Sequence, residues 1–194
     1  GHTADRPLAS LLTRAARSML GLAPMAAGTT LRTVQLELSD VDRQVYESIE
    51  LRVAQHPSES LRYMWTRIIA YALHFDPDIA FSKGGLSTAD EPPVSVREAD
   101  GRFRWWIDVG APSAERLHKA SKTSQHVALY SAVRLDQLRR EAGRRKIFRL
   151  EEIEVWPLPG ELLDELGERT KRAMKLDIAR TEDQVYLTLD GATH

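Results

Sequence analysis

Cysteine is absent from the 194 residues of this sequence. That absence removes disulfide frameworks, thiolate zinc sites, iron–sulfur clusters and cysteine nucleophiles from consideration, and it fits a cytoplasmic protein. Long apolar runs are missing too, so no segment is expected to span a bilayer and no membrane partner is expected. Nor is there an excess of charge of one sign: 27 Lys+Arg stand against 28 Asp+Glu, for a formal net charge of −1. The chain therefore lacks the overall basic field that many nucleic-acid binders use, and any nucleic-acid site must be a local patch. The six histidines form no HExxH pair and no acid cluster at zinc spacing. No glycine run, "SKGGLS" at 82–87 included, matches a phosphate loop or a dinucleotide fingerprint, and no Gly-x-Ser-x-Gly elbow occurs.

What remains is the composition of a soluble globular protein, 42% hydrophobic and 28% charged, at a length suited to one compact domain. Residues 1–28 read as an extension to it. They carry a short amphipathic pattern of Leu8, Leu11, Leu12, Ala15, Met19 and Leu22, interrupted by arginines in a way that a secretory signal would not tolerate. Gly1 and His2 resemble a tag remnant, and Met25 opens a stretch that would serve as a start.

From residue 29 the elements follow from periodicity. Leu31–Leu38 and Tyr46–Ala54 alternate apolar with polar residues around the turn-like "SDVDR", which predicts a hairpin. Pro57 suits the first turn of a helix, where Glu59 would complement the positive end. Leu61, Met64, Trp65, Ile68, Ala72 and Phe75 then form one apolar stripe at helical spacing, which ends at Asp76-Pro77. A loop, "FSKGGLSTADEPP", leads into strands at Val94–Glu98 and Phe103–Val109. Ser113 reads as the N-cap of a helix reaching about Gln125, followed by a buried strand at Val127–Val133 and a helix at Leu135–Ala142 stopped by Gly143. A strand in "FRLEEIEVWPL", a helix in "PGELLDELGERTKRA" and a closing hairpin complete the chain. This order predicts an α/β (mixed α+β) domain over residues 29–194, with a mixed central sheet flanked by helices.

The chemistry-bearing candidates lie in "ADEPPVSVREADGRFRWWIDVGAPSAERLHKAS", residues 89–121. Asp90, Glu91 and Asp108 fall at strand ends, and Asp108 sits where a buried strand gives way to a loop, a position at which ligand-binding residues collect in open sheets. Such carboxylates are either solvent-facing hairpin ends or hard oxygen ligands converging on magnesium, with manganese as a substitute. Such an ion makes its bound water easier to deprotonate. Lys119, which flanks the apolar stripe of its helix, is either a solvated partner of Glu115 or an ammonium reaching back toward Asp108. Glu115, Lys119, Lys122 and His126 are expected on one helix face. The basic run "RREAGRRKIFR", Arg139–Arg149, reads as a solvated helix end or as a phosphate-backbone contact.

Four segments taken together resemble the YaeQ family, a branch of the PD-(D/E)XK, restriction-endonuclease-like superfamily. They are "LSDVDRQVYESIELRVAQHPSES", "FSKGGLSTADEPP", "WWIDVGAPSAERLHKASK" and "RAMKLDIARTEDQVYLTLDG", and the likeness runs from about Leu31 to Leu189. The resemblance implies a restriction-endonuclease-like core of helix, three strands, helix and strand. It makes Asp90 or Glu91 the first motif acid and Asp108 the second, with Glu59 a further acid at the metal. The motif lysine would fall at Gly110, so the resemblance implies that Lys119 replaces it from the following helix. Gln55 and Ser95 depart from the arginine and tryptophan expected at those positions. The implied activity is magnesium-dependent phosphodiester hydrolysis of DNA or RNA by metal-activated water, with Asp108 and Lys119 as catalytic residues. The alternative is a catalytically inactive nucleic-acid- or protein-binding module on the same fold.

Overall fold

The computed structural model describes residues 28–83, 88–132, 135–143 and 146–193. All of the N-terminal extension except Gly28 lies outside these residues. The first hairpin forms as its alternation predicts, from β1 (Thr30–Asp40) and β2 (Val45–Gln55). Val34, Leu36, Leu38, Leu51 and Val53 point into the core from it. Next comes α1 (Leu61–Leu73), whose N-cap is Ser60: its side chain accepts from the Tyr63 N–H at 3.1 Å. Pro57 and Glu59 therefore precede the helix instead of opening it, because the Ser60 hydroxyl supplies the cap one turn later.

Three strands follow: β3 (Ile79–Phe81), β4 (Val94–Arg97) and β5 (Phe103–Val109). Helix α2 (Ala114–Thr123) begins at the expected cap, where Ser113 accepts from Arg116 N–H at 3.1 Å. It stops earlier than its pattern suggests, and β6 (Ser124–Ser131) begins at once. His126 is thus a strand residue stacked on Trp105 at 4.8 Å, not a neighbour of Lys119 on a helix face. The chain continues through α3 (Leu135–Ala142), a 3-10 turn (Leu150–Glu152), β7 (Glu154–Pro157) and α4 (Gly160–Glu168). It closes with β8 (Ala173–Thr181), β9 (Gln184–Leu189) and β10 (Ala192–Thr193).

The strands divide into two five-stranded mixed sheets, where sequence order had suggested one. The first runs β10-β9-β8-β1-β2 and the second β3-β4-β5-β6-β7. The division arises because β1 takes the distant β8 as a parallel neighbour, with Thr33 opposite Ala173, a pairing that no local pattern reveals. Between the sheets lies α1, with Met64, Trp65, Ile68, Ile69, Ala70 and Ala72 all fully buried. A helix apolar on more than one face must be enclosed on more than one side. One continuous core accordingly joins the inner faces of both sheets to α1 and to Leu163 and Leu166 of α4. On the other face of the second sheet, Leu117 and Ala120 of α2 pack with Phe103, Trp106 and Val127 in a separate apolar cluster. Asp108 faces that second layer.

Candidate functional site

Two residues apart on β5, Trp106 and Asp108 project to the same side of the strand. Both are nearly sealed from solvent, at 1% and 2% exposure. A carboxylate this deep must be neutralised or fully hydrogen-bonded. Trp106 Nε1 donates to Asp108 Oδ2 at 3.0 Å, and Arg116 Nε donates to the same oxygen at 2.7 Å. The Arg116 guanidinium also lies 5.3 Å from the centroid of the Trp106 ring. Its remaining nitrogens reach the loop before β4, where Nη1 donates to Thr88 O and Nη2 to Glu91 O at 3.3 Å. One planar cation thus ties a buried strand end to the segment 88–91, a task for which its fixed fork of donors is suited.

That segment carries the two other predicted acids. Asp90 is the ion-pair partner of Lys119, with the carboxylate largely exposed and the lysine about half so. Glu91 lies 3.9 Å from Arg97, whose guanidinium covers the Phe103 ring. Three cations, Arg97, Arg116 and Lys119, therefore surround residues 88–91. Arg116 and Lys119 are three positions apart on α2 and share a helix face.

The structure thus gathers Asp90, Glu91, Asp108 and Lys119 into one neighbourhood, though through Arg116 and not around a shared point. Lys119 reaches Asp90 instead of Asp108. Glu59 is held elsewhere, in a bidentate pair with the buried Arg67: Nε to Oε1 at 2.5 Å and Nη2 to Oε2 at 3.0 Å. His56 N–H donates to the same Oε2 at 3.2 Å, and Arg67 Nη2 also donates to Ala54 O at 2.7 Å. Gln55 spans this corner, accepting from Arg32 Nε at 2.9 Å and donating to Glu59 O at 3.2 Å. Ser95 is cross-strand partner to Trp106, so an indole does stand beside that position, supplied by β5.

Gly110 explains why no lysine occupies the second position after Asp108. Its φ is +82°, a region that side-chain-bearing residues seldom adopt, and its N–H donates to Tyr130 O at 2.9 Å to close the strand end. An ammonium must therefore come from another element, and α2 provides both Arg116 and Lys119.

The donor set does not fit a divalent cation as it stands. Asp108 Oδ2 is committed to Arg116 and Trp106, both oxygens of Glu59 to Arg67, and Asp90 to Lys119. Among the described residues no three acidic or histidine side chains are placed to share an ion. The arrangement suits an anion better, because exposed pairs such as Lys119–Asp90 are weak and exchange readily.

Lys119 holds the Asp90 carboxyl below the ordinary aspartate range, through its hydrogen bond first and its charge second. A lowered folded-state pKa means that the pair favours folding above the unfolded-state pKa, and that this contribution fades as pH falls through the folded value. In a carbon-detected NMR titration, Asp90 is expected to titrate below exposed aspartates in the wild type and to return to their range in Lys119→Met. An unchanged midpoint in the variant would rule out the pair in solution.

Arg116 is the site residue that sequence reasoning missed. Its signal was available: it lies three residues after a predicted N-cap and one turn before Lys119. Elsewhere, Arg149 from the basic run turns inward, donating to Ser121 O and Ser124 O at 2.7 and 2.8 Å, so it caps the end of α2 and is not a solvated helix terminus. Arg144 and Arg145 of that run lie outside the described residues. Among the described residues no helix is long and apolar enough to cross a membrane.

Comparison with known proteins places the chain in a family. The chain is 28% identical over 165 residues to the YaeQ protein of Salmonella typhi, covering 84% of this chain and 91% of that one. It is 28% identical over 167 residues to YaeQ of Escherichia coli strain K12, covering 86% and 92%. The crystal structure of YaeQ from Pseudomonas syringae superposes with a TM-score of 0.79 at 32% identity, over 87% of this chain and 93% of the other. That of YaeQ from Xanthomonas axonopodis pv. citri gives 0.76 at 29%, over 85% and 93%. The family model described as "YaeQ protein" matches residues 25–194, and the chain belongs to the YaeQ family.

Proposed function

We propose that this chain is a noncatalytic nucleic-acid-binding module on a nuclease-like scaffold, in which the Arg116 guanidinium stands where a catalytic cation would be held. The single observation that carries this reading is the hold of Arg116 on Asp108 Oδ2, Thr88 O and Glu91 O together. An arginine so bound neutralises the buried carboxylate permanently, and its charge does not titrate away. The order α1, β3, β4, β5, α2, β6 agrees with the helix, three strands, helix and strand that the superfamily resemblance implies.

On this reading a phosphate strand lies across residues 88–91. Lys119 exchanges its exposed partner Asp90 for a phosphate oxygen, and Arg97 makes a similar exchange at Glu91. Arg116 keeps the loop in place beneath them. The near-zero net charge makes binding a matter of these few contacts, with a correspondingly shallow dependence on salt.

Magnesium-dependent hydrolysis is the second reading. It is favoured by one observation: among the described residues the hydrogen bonds to the Asp108 carboxylate, from Trp106 and Arg116, both fall on Oδ2, at the end of a buried strand where the resemblance puts the second motif acid. It requires Arg116 to leave Asp108.

Fluorescence anisotropy with labelled single- and double-stranded DNA and RNA, with and without chelator, separates the two. The binding module is expected to retain nucleic acid in chelator, to lose affinity in Lys119→Glu and to leave every oligonucleotide intact with manganese. Its thermal midpoint should not move with manganese, whereas Arg116→Ala, which bares Asp108, should gain a manganese-dependent rise. Chelator-sensitive cleavage abolished by Asp108→Ala would overturn the module and establish hydrolysis. Failure to bind any of the four nucleic acids at low salt, with no cleavage, would reject both.

A further inference from the structure

We propose that β2 is a self-association edge, through which two copies of this chain pair antiparallel about a two-fold axis at Leu51 and join their first sheets into one of ten strands. The proposal is independent of the nucleic-acid reading. It begins with an asymmetry among the sheet margins. The margin strands β10, β3 and β7 have two, three and four residues, whereas β2 has 11. Short margins are a common protection against unwanted pairing, and a long one presents a row of free backbone donors and acceptors. Among the described residues β2 has only β1 as a ladder partner, and its far end alone is engaged, where Arg67 Nη2 donates to Ala54 O at 2.7 Å. The strand contains no proline to block a neighbour.

Its side chains specify the partner. Successive residues point to opposite faces, so Ser48, Glu50, Arg52 and Ala54 share the solvent face while Ile49, Leu51 and Val53 share the core face. With Leu51 opposite its own copy, each Glu50 faces the other chain's Arg52, Ser48 faces Ala54, and Ile49 faces Val53. Both charged side chains are about half exposed: within one chain Arg52 Nε lies 3.5 Å from Glu50 Oε1 and Gln35 Nε2 donates to Glu50 Oε2 at 2.9 Å, exposed contacts weak enough to be exchanged for those of the second copy. Sliding the axis by one residue sets Glu50 against Glu50 or Arg52 against Arg52, so charge selects a single register for a second copy. Ile49 is only half-buried in one chain, and Val53 of the second would extend the core over it.

Sedimentation velocity on the full chain across a hundredfold or so concentration range tests this. The wild type is expected to dimerise. Glu50→Arg and Arg52→Glu each set two like-charged pairs across the axis and should weaken the dimer about tenfold. The double reversal Glu50→Arg/Arg52→Glu restores opposite charges and should recover wild-type association, with circular dichroism verifying that each variant is folded. A wild type that stays monomeric throughout overturns the proposal, including the outcome in which β2 amides resist hydrogen exchange because residues 1–27 or another segment covers them. A dimer indifferent to both single reversals overturns it equally.

Discussion

Replacing Arg67 by leucine is expected to lower the free energy of unfolding by about 3–5 kcal/mol in a urea titration, a large share of what a domain of this kind possesses. Arg67 is 1% exposed and Glu59 is 6% exposed, and the guanidinium supplies both the opposite charge and, among the described residues, two of the three hydrogen bonds on that carboxylate. Removing the cation leaves a buried anion with only the His56 N–H as donor among the described residues, and it also strips a donor from Ala54 O. The cost is that of stranding a charge, not the worth of the pair. The double variant Arg67→Leu/Glu59→Leu should therefore be more stable than Arg67→Leu alone, although it has lost more native contacts. Equal stabilities would show that Glu59 finds water or another donor, and that the pair is not buried as described.

The second large effect is expected at Trp106. Truncation to alanine should cost about 3–5 kcal/mol, the range for a fully buried aromatic side chain. Trp106 fills the layer between β5 and α2 against Phe103 at 5.0 Å, and it donates to Asp108. Trp106→Phe separates these roles, keeping most of the ring packing while deleting the indole N–H. It should cost less than alanine and leave Arg116 as the one donor to Asp108 Oδ2 among the described residues. A loss below about 1 kcal/mol for Trp106→Ala, which is the scale of a surface change, would overturn the packing described for this layer.

Much of the fold was legible because local pattern and tertiary environment agree. β5 forms at Phe103–Val109 and α3 at Leu135–Ala142 with the bounds their patterns predict, and the Ser113 cap holds the start of α2. What escaped reading depends on partners remote in the chain. β3 is three residues long, too short for alternation to register, and exists because β4 pairs with it. α2 ends at Thr123 because Ser124–Ser131 is drawn into the sheet between β5 and β7. A stripe of apolar residues cannot announce such a choice. The candidate site was legible in its backbone positions and illegible in its connections. Asp108 was identifiable as a carboxylate at the end of a buried strand, and Lys119 as a cation flanking α2. Which of two cations on one face would reach Asp108 was settled by a single helical turn: Arg116, nearer the start of α2, reaches it, and Lys119 meets Asp90 instead.

The parallel pairing of β1 with β8 has a consequence for biosynthesis. The first hairpin emerges early, yet the strand that completes its inner margin, β8, is made only after the whole second sheet. Until β8 is made that hairpin waits with its inner flank open, and α1 and the second sheet, though already made, have only its two strands to pack against. Nascent chains should consequently gain protease resistance only once β8 and β9 have emerged, in one late step that depends on non-local contacts.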